Sequence, residues 1–168
     1  MAFYPEEYKL PEKLLRSIAD YIDQNYEDIS EKCVVAEMLC PCAPMALSLE
    51  DMLKQADAGF TETLLNLIDK TGKKDSEIYK RANISKQHFS KIRNNPNYKP
   101  TKPTAIALAL ALELDLQDTK DLLERAGYAL TNSSKFDLII RYFIEQGNYN
   151  VVEINMALYE FDQPLLGS

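Results

Sequence analysis

The run DSEIYKRANISKQHFSKIRN, Asp75 to Asn94, reads as two short helices with almost no linker between them. Each position has a physical job in such a pair. Ile78 and Ala82 supply the inward face of the first helix. Asn83 stands where the chain must turn, and asparagine is among the few non-glycine residues that tolerate positive φ. Ile84 is the apolar residue after the turn, and Ser85 is placed to cap the second helix through its hydroxyl. Phe89 and Ile92, three apart, are its buried anchors. The remaining face is then Lys86, Gln87, Ser90, Lys91 and Arg93, side chains that can reach phosphates or base edges. A helix–turn–helix pair, predicted as Asp75 to Ala82 and Lys86 to Asn94, follows.

Outward from this run the chain reads as all-α. Downstream, NNPNYKPTKPT, Asn94 to Thr104, is rich in turn residues. It leads into AIALALALELDL, Ala105 to Leu116, whose alanine–leucine alternation has the period of a strand but the composition of a helix. With Thr101 as N-cap and Pro103 in the first turn, the reading is a buried helix running to Leu116. Asp118 to Ala126 predicts another, ended by Gly127. A third is capped by Ser133 or Ser134 and carries the stripe Phe136, Ile139, Ile140, Phe143, Ile144, and the last spans about Val151 to Phe161. Upstream, Thr61 caps a helix through Leu64, Leu65 and Ile68 that stops at Gly72. Before it come a helix opened by Ser48 and closed by Gly59, and a short one over Glu31–Leu39 after Ser30. A helix after Pro11 presents Leu14, Leu15, Ile18, Ala19, Ile22 and Tyr26 on one side, to dock on the body or pair with another chain. The CPCAP sequence at Cys40 to Pro44 makes the best boundary. It separates an N-terminal helical arm, residues 1–47, from a body of residues 48–168 with its core at about 60–130 and two further helices behind it.

The formal net charge of -7 misleads about partners. Residues 1–69 hold 5 basic against 14 acidic side chains and residues 103–168 hold 4 against 10, whereas residues 70–102 hold 10 against 2. A polyanion responds to the field within about one Debye length, roughly 8–10 Å, more than to the distant sum. The central island therefore permits phosphate contact, with Lys73, Lys74, Lys80, Lys99 and Lys102 as flanking contacts. About four to six such contacts would give a log–log salt slope near -4 to -5.

The residues ISKQHFSKIRNN and the following KPTKPTAIALALALELD resemble the lambda-repressor-like, or Xre-type, helix-turn-helix family over roughly Phe60 to Leu130. The resemblance implies a five-helix DNA-binding core in a bacterial transcription regulator, with the helix Lys86–Asn94 entering the major groove and Ser85, Lys86, Gln87, Ser90, Lys91 and Arg93 at the nucleic acid. It also implies homodimerisation, through the N-terminal or the last two helices. Two positions depart from the family pattern. Tyr79 replaces a small residue, which implies a slightly splayed pair, and Asp75 replaces a phosphate-contacting glutamine and is better suited to an N-cap. The longer run from about Leu49 to Leu166 is similar to the helical region appended to some bacterial macrodomain proteins, carried by LLERAGYAL, SSKFDLIIRYFIEQGNYN and FDQPLL as well as the central run. The chain has no room for a macrodomain, so this likeness implies an accessory role in signalling or defence without an ADP-ribose site.

Other chemistries find little footing. Cys33, Cys40 and Cys42 with the single histidine His88 do not have zinc-site spacing, and buried structural thiols are the expectation. No Walker loop, dinucleotide fingerprint or metalloprotease helix is present, and His88 has no evident triad partners, so no catalytic residue, metal or cofactor is expected. No apolar run approaches the roughly 20 residues needed to span a bilayer, and the acidic start MAFYPEEYKLPEK predicts no export signal, so a cytoplasmic location is expected. The rival to DNA binding is a non-catalytic adaptor that keeps the fold as a scaffold and meets an acidic protein partner with its basic island.

Overall fold

A computed structural model describes residues 10–27 and 59–167. Among these the chain forms eight helices and no strand: α1 (Glu12–Asn25), α2 (Phe60–Thr71), α3 (Asp75–Arg81), α4 (Lys86–Asn94), α5 (Lys102–Ala111), α6 (Leu116–Arg125), α7 (Lys135–Glu145) and α8 (Val151–Glu160). The helices expected around Glu31–Leu39 and after Ser48, and all three cysteines, lie outside the described residues.

The alanine–leucine run is α5, and it is the axis of the body. Every residue from Thr104 to Leu112 is buried, so alternation here marks a helix covered on all sides rather than a strand. Its small alanines let α3, α6 and α8 approach, while α2 packs on α6 and α7 on α8. One expectation needs correcting: α5 ends at Ala111, not Leu116, and α6 starts at Leu116, with Asp115 accepting from the Asp118 N–H as its N-cap. The stop is Glu113, which takes the left-handed conformation at φ 58°. Its N–H donates to Leu110 O and that of Leu114 to Ala109 O, which satisfies the last carbonyls of α5 in the double-bonded closure that normally calls on glycine.

Two other local expectations change. Thr61 does not cap α2; Gly59 holds that position, and the buried Thr61 hydroxyl donates to Asn95 O at 3.1 Å, tying α2 to the end of α4. Asp75 is the first residue of α3 rather than its cap, which is Lys74, whose N–H donates to Glu77 at 3.3 Å.

The N-terminal helix docks on the body. Ile18 and Ile22 are buried, α1 lies along α7, and Tyr21 meets Tyr142 edge-on with centroids 5.3 Å apart while donating to Glu145 at 2.8 Å. At the other end the tail folds back. Asn155 inside α8 donates to Leu166 O at 3.1 Å and accepts from Leu166 N–H at 2.7 Å, which holds the buried Leu166 side chain in the core. Gly167 then rests on Asn83: a Cβ there would stand 2.5 Å from the Asn83 carbonyl oxygen, so only glycine fits.

Candidate nucleic-acid interface

The turn between α3 and α4 forms as the residues dictate. Asn83 sits at φ 54°, its N–H donating to Lys80 O and the Ile84 N–H to Tyr79 O. Ile84 is buried, and Ser85 accepts from the His88 N–H at 3.2 Å, which fixes the start of α4. Phe89 and Ile92 are buried on the inner face, and Tyr79 packs tilted against Phe89 at 6.0 Å between centroids. Anchored this way, α4 turns Lys86, Gln87, Ser90, Lys91, Arg93 and Asn94 to the outside, and all six are exposed.

The loop after α4 is fastened to it as well. A ring nitrogen of the half-buried His88 lies 2.8 Å from the Tyr98 hydroxyl, and Tyr98 N–H donates to Asn95 O at 3.0 Å. Asn94 donates to the Ser90 hydroxyl at 3.1 Å. The result is a shallow depression of about 380 Å³ beside the helix, lined by Ser90, Lys91, Asn94, Asn95 and Tyr98. Asn94 and Tyr98 were not singled out from the sequence. Asn94 could have been, because it stands one helical turn beyond Ser90 on the same face.

The ten cations of the basic stretch do not form one ridge. Lys102 points away from α4 into the body, where its ammonium lies 2.7 Å from both carboxylate oxygens of Asp137, a side chain with no solvent exposure. Thr131 completes that site, its N–H and hydroxyl donating to Asp137 at 2.9 and 3.1 Å. Lys73 is half-buried, 3.2 Å from Glu113 and 3.4 Å from Ala111 O at the end of α5. Arg81 binds the same Glu113, and the hydrogen bonds from Arg81 and then Lys73 hold that carboxyl below its ordinary range. Arg93, though exposed, is paired with Asp75. Lys80 borders a separate cavity of about 610 Å³ walled also by Tyr149 and Val152. Lys70, Lys74, Lys86, Lys91 and Lys99 remain, all exposed and with no ion-pair partner among the described residues.

Among the described residues no three His, Cys, Asp or Glu side chains gather into a metal-binding group, and no helix is long and apolar enough to cross a membrane. Comparison of the chain with protein-family models, with curated proteins and with solved structures finds no match.

Proposed function

We propose that the chain is a non-catalytic DNA-binding regulatory module of the lambda-repressor-like helix-turn-helix type, acting through the outer face of α4. One observation carries this reading. The helix is locked by Ser85, Phe89 and Ile92, yet its exposed face keeps Lys86 and Lys91 free of the carboxylates that occupy other cations of the same stretch. Exposed, unpaired ammonium groups on a rigid helix are the arrangement that phosphate contact requires. Gln87 and Ser90 between them are the groups able to read base edges, and Lys74 and Lys99 are the flanking phosphate contacts. Lys73 and Lys102 are assigned to the fold instead, and Lys80 to the neighbouring cavity.

Four contacting lysines predict a log–log salt slope of about -3 to -4. Fluorescence anisotropy on mixed-sequence duplex DNA across a salt series measures it. Replacing both Lys86 and Lys91 by Glu is expected to abolish binding with helicity retained. Failure of the native chain to bind duplex DNA at low salt overturns the reading and leaves the same face for an acidic protein partner.

A further inference from the structure

Two hollows of the surface meet at Tyr98. One is the depression of about 380 Å³ beside α4, which Ser90, Lys91 and Asn94 also border. The other, about 310 Å³, is bordered by Pro96, Asn97, Lys99 and Arg125 and reaches the start of α2 and the end of α6. Among the described residues no carboxylate lines either one. That sets them apart from the 610 Å³ cavity, which contains Glu113, and from a hollow of about 320 Å³ that contains Glu27 and Asp137. Lys91 belongs to one of the joined hollows and Lys99 to the other, and neither lysine has an ion-pair partner among the described residues. The loop between them is fixed in shape. The Tyr98 hydroxyl lies 2.8 Å from a His88 ring nitrogen, the Asn97 N–H donates to the Asn95 side chain at 3.1 Å, and Tyr128 donates to Pro100 O at 3.1 Å. The half-buried Tyr98 is thereby held as the divide between the hollows, with Asn94, Asn95 and Asn97 exposed around it.

We propose that this surface binds single-stranded DNA, with a base against Tyr98 and the backbone running from Lys91 to Lys99. The chemistry selects the strand form. A cationic track interrupted by an aromatic side chain suits a nucleic acid whose base faces are open. In a duplex those faces are stacked on one another, and only base edges reach the grooves. The surface adjoins the outer face of α4, and that continuity favours DNA over RNA as the occupant. The choice of DNA rests on the duplex reading above. The single-strand surface does not, because Asn97, Tyr98 and Arg125 lie off α4.

Fluorescence anisotropy of the full chain with a labelled oligothymidylate of about ten nucleotides tests it, with an oligouridylate and a duplex alongside. The native chain is expected to bind the oligothymidylate with a log–log salt slope of about -1.5 to -2, for two to three phosphate contacts. Tyr98→Leu should weaken that binding about tenfold, while Tyr98→Phe, which keeps the ring, should stay within about twofold. Asn97→Asp, at an exposed position where folding is undisturbed, places a charge of the wrong sign in the track and should weaken it about fivefold. None of the three should alter duplex binding by more than about twofold. Lys86→Ala should do the reverse, because Lys86 borders neither hollow. Absence of oligothymidylate binding at low salt overturns the proposal, and duplex binding measured in parallel shows whether that reading falls with it. Single-strand binding that ignores Tyr98→Leu and Asn97→Asp also overturns it, as does tighter binding of the oligouridylate.

Discussion

Lys102 and Lys91 belong to one basic stretch and do opposite things. Lys102 has delivered its charge to Asp137, a carboxylate sealed from solvent, and joins the start of α5 to α7. Lys91 stands in water on α4 beside the Ser90–Asn94–Tyr98 depression. A charge count along the chain weighs them equally. What separates them is whether folding brings a carboxylate to the ammonium, and only the cations left over are available to a partner.

The largest test of that difference is on stability. Lys102→Met leaves the Asp137 carboxylate buried with only the Thr131 donors, and breaking a buried pair this way costs about 3–5 kcal/mol. Lys91→Met removes a solvated charge and should change stability by less than about 0.5 kcal/mol. Urea unfolding of the two variants reads both, and equal losses would erase the distinction between them. Asp137→Asn should cost less than Lys102→Met, because the lysine, 26% exposed, can regain water.

Next comes the tail that steadies the α3–α4 turn. Leu166→Ala removes a buried side chain and is expected to cost about 2–4 kcal/mol. Asn155→Ala strands the Leu166 N–H and carbonyl and should cost about 2–3 kcal/mol. Gly167→Ala presses a methyl group on Asn83 and is expected to speed hydrogen exchange at Ile84, whose N–H closes the turn. If that exchange is unaltered, the tail does not govern the surface α4 presents.

How far these features could be read in advance follows from their range. The α3–α4 pair was legible because its cap, its turn residue and its anchors all lie within twenty residues and obey local rules. The end of α5 was not. Its stop residue is Glu113, where the expected signals are glycine or asparagine, and the strain there is offset by Arg81 and Lys73 arriving from α3 and the loop before it. The fate of the cations was hidden for the same reason. Asp137 is 35 positions beyond Lys102, and no short-range pattern announces the pairing. Thr61 passed for a cap because a threonine before an apolar stripe is the ordinary cap signal, although its hydroxyl serves Asn95 instead.

A smaller effect is expected where α1 meets α7. Burial, then the hydrogen bond to Glu145, pushes the Tyr21 hydroxyl up to about 12 from 10.0. A raised value contributes stability in full below pH 10 and loses it as pH rises toward 12. Burial works against ionised Glu145, but hydrogen bonds from Arg141 and Tyr21 outweigh it and hold the carboxyl below its ordinary range. That contribution is present above the usual carboxylate range and disappears as pH falls through the depressed value. Tyr21→Phe should cost about 0.5–1 kcal/mol, kept low because the pair faces solvent, and should remove the alkaline step from thermal unfolding followed against pH.

The last test converts one kind of cation into the other. Arg93 lies on the outer face of α4 but is held by Asp75 at the first residue of α3. Both side chains are close to half exposed, so the pair contributes little to stability, about 0–1 kcal/mol. Asp75→Asn keeps the size of the side chain, removes a negative charge from the margin of the surface and releases the guanidinium. Stability should barely move. Binding to duplex DNA should tighten several-fold at low salt, and the log–log salt slope should steepen by about one, the signature of one further phosphate contact. An unchanged slope would mean that Arg93 lies outside the contact zone, which would confine the interface to the helix surface around Lys86 and Lys91.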